Sequence, residues 1–99
     1  MNISWLTLRD LQYVIAVAEH EHFGRAAAAC NVSQPALSAQ IRKIEDVLGT
    51  QLFERTKRSV TTTAEGRAVA EQARVVLEEA HKIGEITRAA KAQIGRAHV

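Results

Sequence analysis

The sequence predicts a mainly α fold: three short helices, a two-stranded wing and a long final helix, or a winged helix-turn-helix followed by a dimerisation linker helix. Three observations predict it. Two segments with helical apolar spacing, Leu8 to His20 and Ser33 to Leu48, enclose a short alanine-rich one. The period then shortens into two β-type runs around Thr56-Lys57-Arg58. From Thr63 onward no proline occurs, and apolar or small residues recur at alternating four- and three-residue steps.

The first helix is expected from Leu8 to about His20, with Thr7 as its N-cap. Leu8, Leu11, Ile15 and Ala18 form its apolar stripe, widened by Val14 and Val17. The second helix is expected from about Gly24 to Cys30, through Ala26 to Ala29, where small side chains admit a close helix crossing. Asn31 follows and suits the left-handed backbone of a tight turn. The third helix begins with Ser33 as cap and Pro35 in the first turn, where the missing N–H costs nothing. It should end near Leu48, with Gly49 just past its end.

The wing is read as Leu52 to Arg55 and Ser59 to Thr62, anchored on the helices by Leu52, Phe53 and Val60, because a two-stranded hairpin is marginal alone. Thr63 caps the last helix, and Glu65 complements the positive end of its dipole. Val69, Ala73, Val76, Ala80, Ile83, Thr87, Ala90 and Ile94 form its heptad seam, and heptads this long call for a partner helix. Gly84 and Gly95 weaken it by about 1 kcal/mol each relative to alanine, so fraying is expected toward its end. The domain division is 1–62 for the winged unit and 63–99 for the linker helix.

The face of the third helix away from Leu37, Ile41, Ile44 and Leu48 is small, polar and basic. A helix entering a DNA major groove about 12 Å wide needs such a face. Gln34 suits an adenine edge, Pro35 and Ala36 a thymine methyl, Ser38 a base edge or phosphate, and Arg42 and Lys43 the backbone. The free N–H groups at the helix start, beside Ser33, suit a phosphate. On the wing, Arg55, Lys57 and Arg58 would reach a neighbouring groove or its phosphates. The net charge is only +2, so the distribution of the 13 Lys and Arg, and not their number, carries this reading. A helical protein-interaction module using the same heptad seam is the competing reading.

Other classes find little support. No apolar run reaches the roughly 18–20 residues of a membrane span, and no secretory signal is visible. Cys30, the single cysteine, excludes an internal disulfide and reads as a small buried hydrophobe; a cytoplasmic protein is expected. His20, Glu21, His22 and Cys30 are too loose a group for a metal site, and no cofactor is expected. Adjacent Glu45 and Asp46 do not face each other on a helix, and Ser38 has no His and Asp partners, so no catalytic site is expected.

These residues also carry a resemblance. Arg25-Ala26-Ala27, Val32-Ser33-Gln34-Pro35-Ala36-Leu37-Ser38, Gln40-Ile41, Ile44-Glu45, Leu48-Gly49, Leu52-Phe53, Arg55 and Thr63-Ala64-x-Gly66 resemble the N-terminal region of the LysR-type transcriptional regulators, over residues 8 to 66. The resemblance implies double-stranded DNA with an interrupted palindrome as partner. It implies a homodimer through antiparallel linker helices and a tetramer in full-length proteins, with RNA polymerase a further candidate partner. It also implies an inducer-sensing C-terminal domain that this chain does not include. Ala18-Glu19-His20-x-His22-Phe23, Cys30, and Gln40-Ile41-Arg42-Lys43 before Glu45-Asp46 are similar to the family's hydrogen-peroxide-responsive subgroup; a regulator of an unrelated metabolic pathway is the alternative. Two positions depart from the family pattern. Gly24 stands where Ser or Thr is frequent, which bears on a helix cap and a phosphate contact. Ala39, on the recognition face, stands where a longer polar residue is frequent, which bears on one base contact.

Overall fold

A computed structural model describes residues 4–97 of the chain, and side chains for 4–93. The order is α1 (Leu8–His20), α2 (Phe23–Ala29), α3 (Gln34–Leu48), β1 (Phe53–Arg55), β2 (Val60–Thr62) and α4 (Ala64–Ala97). Each helix start has a local cause. Thr7 Oγ1 accepts from Asp10 N at 3.0 Å, and Asp10 Oδ2 accepts from Thr7 N at 3.1 Å, closing a reciprocal capping box on α1. Ser33 Oγ accepts from Ala36 N at 3.2 Å and caps α3, with Pro35 in the first turn. Asn31 (φ 57°) takes the left-handed conformation expected in the turn, and Gly49 (φ 66°) takes it at the end of α3.

α2 starts one residue earlier than the sequence suggested, because its cap is His22. The Nδ1 atom of His22 accepts from Arg25 N at 2.9 Å. Gly24 therefore weakens no cap, since position 24 is not the capping position. The phase of α1 is also corrected. Leu11, Val14, Ala16 and Val17 are buried, whereas Leu8 is 50% exposed and Ile15 and Ala18 are only half-buried. The helix is covered by α2, α3 and α4 together, which buries a broad arc centred on Val14 and Val17.

The core joins that arc to Phe23, Ala26, Ala27 and Cys30, to Leu37, Ile41 and Ile44 of α3, and to Leu52 and Phe53. Val60 packs against it from the wing. The strands are each one residue shorter than expected and pair antiparallel, with Phe53 opposite Thr62 and Arg55 opposite Val60. The wing is tied down by two carboxylates far off in sequence. Glu45 Oε2 accepts from Leu52 N at 2.8 Å and Phe53 N at 3.1 Å. Glu21 Oε2 accepts from Thr62 N at 2.8 Å and Thr62 Oγ1 at 3.1 Å.

α4 enters against the wing root. Thr63 N donates to Leu52 O at 2.9 Å, and Thr63 Oγ1 accepts from Gly66 N at 2.9 Å. Gly66 is required by this approach, since a Cβ there would lie 2.1 Å from Leu52 O. The first turns of α4 pack on α1 and bury Gly66, Ala70 and Ala73. This corrects the seam at one position: Ala73, 2% exposed, is covered within its own chain and is not free for a partner. Val69 and Ala80 are half-buried, Val76 is 37% exposed, Ile83 is 67% exposed, and Thr87 and Ala90 are exposed. The side chain of Ile94 lies outside the described residues. α4 runs through Gly84 and Gly95.

Candidate nucleic-acid interface

α3 offers the surface that its sequence promised. Leu37, Ile41 and Ile44 are fully buried, which fixes the rotation of the helix. Ser33, Gln34, Pro35, Ala36, Ala39, Arg42 and Lys43 are exposed as a result, and Ser38 is half-buried beside them. The outer face has short side chains over its first two turns and two cations further along. Gln40, on the flank, donates from Nε2 to the buried Oδ1 of Asp10 at 2.8 Å. This bond holds α3 against α1, so the helix is presented as part of a rigid body.

The wing tip is braced by its own hydroxyls. Thr56 N donates to Ser59 O at 2.9 Å, Ser59 N donates to Thr56 Oγ1 at 3.1 Å, and the two hydroxyl oxygens are 2.9 Å apart. The turn leaves Lys57 and Arg58 exposed at the tip. A cleft between wing and helices is lined by His22, Gly24, Gln34, Lys57 and Arg58 among others, so the start of α3 and the wing cations border one space. Thr56, Ser59, His22 and Gln40 were not singled out as site residues by sequence reasoning. The turn hydroxyls flanking Lys57-Arg58 were a usable signal; the other two depend on tertiary contacts.

Arg55 is placed apart from the other wing cations. Its Nη2 donates to Glu45 Oε1 at 3.0 Å, and its guanidinium lies over the Phe23 ring, 4.9 Å from the centroid. Its side chain is 24% exposed and that of Glu45 11%. Unlike Lys57 and Arg58, Arg55 is thus held inward by a charge partner and a ring.

Among the described residues no group of three His, Cys, Asp or Glu could hold a metal ion. No helix among them is long and apolar enough to cross a membrane. A second surface lies along α4. Val69 and Val76 border an apolar groove with Leu6, Leu8 and Leu11, and Ile83 and Ile86 stand 67% and 69% exposed beyond it. Ile86 was not on the expected seam.

Three helices packed around one core, an antiparallel wing tied to them, and a small-faced, cation-flanked α3 define a winged helix-turn-helix protein. The family model described as bacterial regulatory helix-turn-helix protein, lysR family, matches residues 8–67. The chain belongs to that family. It is 50% identical over 95 residues to a hydrogen peroxide-inducible genes activator of Dickeya chrysanthemi, an alignment covering 95% of this chain and 31% of that one. A full-length OxyR variant from Pseudomonas aeruginosa superposes with a TM-score of 0.80 at 46% identity, over 85% of this chain and 28% of that one. The DNA-binding domain of CbnR, solved in complex with DNA, superposes with a TM-score of 0.80 at 42% identity, over 86% of this chain and 98% of that one. The chain thus spans about three tenths of the length of the curated relatives it matches.

Proposed function

We propose that this chain is the DNA-reading and pairing unit of a cytoplasmic, peroxide-responsive transcription regulator, with 1–62 bearing the reading surface and 63–99 the pairing helix. One observation carries the DNA reading: buried Leu37, Ile41 and Ile44 turn Gln34, Pro35, Ala36, Ala39, Arg42 and Lys43 outward, beside a cleft shared with Lys57 and Arg58. Gln34 and Ser38 discriminate bases, Arg42 and Lys43 hold one stretch of phosphates, and the wing pair holds another. The exposed apolar face of α4, through Val76, Ile83 and Ile86, pairs with a second copy. Two α3 helices then reach two half-sites of an interrupted palindrome. In the whole regulator, tetramer formation and contact with RNA polymerase follow the family pattern. The similarity to peroxide-inducible activators supports the peroxide part.

Selection from a random duplex pool by the purified chain, at near-physiological salt, tests the reading. Enrichment of two-fold related half-sites is expected; a pool with no enriched motif would overturn DNA readout and leave the apolar face of α4 as the working surface. A reporter driven from the selected site, in cells carrying the whole regulator, should answer to hydrogen peroxide. A reporter that answered to a metabolite instead would refute the peroxide part and leave the DNA reading intact.

A further inference from the structure

The wing has to hold Lys57 and Arg58 at a fixed distance from Gln34, or the two cannot engage one duplex together. A three-residue pair of strands does not fix that distance by itself. The structure shows what does. Glu45 lies in the last turn of α3, one turn beyond Arg42, and its two oxygens are divided between tasks. Oε2 accepts from Leu52 N and Phe53 N at the root of β1, and Oε1 accepts from Arg55 Nη2 at 3.0 Å. Arg55 closes the arrangement from the far end of β1 by lying on Phe23 of α2, itself buried. One ion pair thus joins α2, α3 and β1. Arg55 borders both the cleft lined by Gln34, Lys57 and Arg58 and a polar groove lined by Arg42, Asp46 and Gln51.

We infer that Arg55 and Glu45 are positioning residues for DNA recognition: they set the reach of the wing from α3, and Lys57 and Arg58 make the contacts. The inference rests on the DNA reading above. Its energetic logic is that the Nη2 bond to Glu45 and the Phe23 ring hold the guanidinium in place, so swinging it out to a phosphate would take the donor from Oε1 of a carboxylate that is 11% exposed. Leaving that oxygen without its charged donor in a mostly buried setting costs more than one solvent-exposed phosphate contact returns.

The decisive variant is Glu45→Gln, because the two roles predict opposite signs. Glutamine can still accept from the β1 amides but releases the guanidinium, and it removes a negative charge from a protein that binds an anion. If Arg55 is a positioning residue, binding to the selected duplex weakens by roughly tenfold despite the gained charge. The slope of log affinity against log salt then also flattens by the equivalent of one to two phosphate contacts, although neither Lys57 nor Arg58 has been changed. A general loss of stability would lower the active fraction without moving that slope. Arg58→Ala should cost much less in the Glu45→Gln background than in the parent, the non-additivity of groups that act together. Arg55→Lys, which keeps the charge and loses the two-point hold, should resemble Glu45→Gln.

Tighter or unchanged binding by Glu45→Gln, or parent-like binding by Arg55→Lys, would overturn the inference and make Arg55 a direct phosphate ligand. Amide exchange without DNA separates the layers. Faster exchange at Thr56 to Ser59 in both variants is expected; parent-like exchange there also overturns it. If the parent chain binds no duplex but the variants free the wing, the DNA reading fails and the mechanical link stands.

Discussion

Gly66→Ala should be among the most damaging single-methyl changes in this chain, and the structure gives its size. The added Cβ would lie 2.1 Å from Leu52 O and 2.9 Å from Leu52 C, both backbone atoms at the wing root. An ordinary carbon–oxygen contact is about 3.3–3.6 Å, so α4 and the wing root must separate by more than about 1 Å. Overpacking of this kind costs about 1–3 kcal/mol. The movement also strains the Thr63 N–H bond to Leu52 O (2.9 Å) and the Thr63 hydroxyl bond to the same oxygen (3.1 Å). Each such bond contributes about 1 kcal/mol. Alanine's better helix propensity returns about 1 kcal/mol. The net is a loss of about 2–4 kcal/mol, or a fall of about 10–20 °C in Tm for a chain of this size. Gly84→Ala is the internal control. A Cβ there meets nothing within 4 Å, so the same substitution should be neutral or stabilise by up to about 1 kcal/mol. Urea unfolding followed by circular dichroism at one fixed chain concentration measures both, since association also shifts apparent stability. A Gly66→Ala chain within about 0.5 kcal/mol of the parent would show that the wing root yields freely, and the close-approach argument would be wrong.

Three further outcomes are expected. Gln34→Ala should lower discrimination at one position of each half-site by about 1–3 kcal/mol while leaving non-specific retention intact; an unchanged selected motif would remove Gln34 from the base-reading set. Ile83→Asp places a charge on an exposed apolar face and should yield a monomer by sedimentation, which binds a paired site no more tightly than a single half-site. A dimer that survives would move the pairing surface elsewhere. Asp10→Ala removes half of the capping box and the partner of Gln40, both in a buried setting, and should cost about 2–3 kcal/mol of stability by denaturant midpoint.

Much of this architecture could be read from residues that act locally. Thr7, Ser33, Asn31 and Gly49 are boundary signals whose effect is confined to one turn, and each stands where it was expected. The exposed face of α3 followed from the same logic, since Leu37, Ile41 and Ile44 leave only one way to rotate the helix. What was not legible depends on contacts made across the chain. Glu21 and Thr62 are 41 positions apart, and nothing in either neighbourhood announces the bond. In sequence Glu45 reads only as a neighbour of Asp46 with no catalytic role and Arg55 as one cation of three, until the fold brings them to 3.0 Å. The burial of Ala73 shows the limit of heptad reading: the period identifies an apolar face but not whether α1 or a second chain covers it. His22 was missed because a histidine caps a helix only as a neutral ring with Nδ1 free to accept, a state that sequence does not specify.

The two carboxylates at the wing root have a consequence for the chain in crowded company. A short sheet ordinarily leaves a row of unsatisfied amides along each outer edge, and such rows invite another molecule's strand to add on. Here the amides at the root of the sheet, those of Leu52 and Phe53 at the start of β1 and of Thr62 at the end of β2, are already taken by Glu45 and Glu21. The negative charges that occupy them would also repel an incoming backbone's carbonyls. The root of the wing is therefore closed to strand exchange between neighbouring copies by two acidic residues that lie outside the strands themselves.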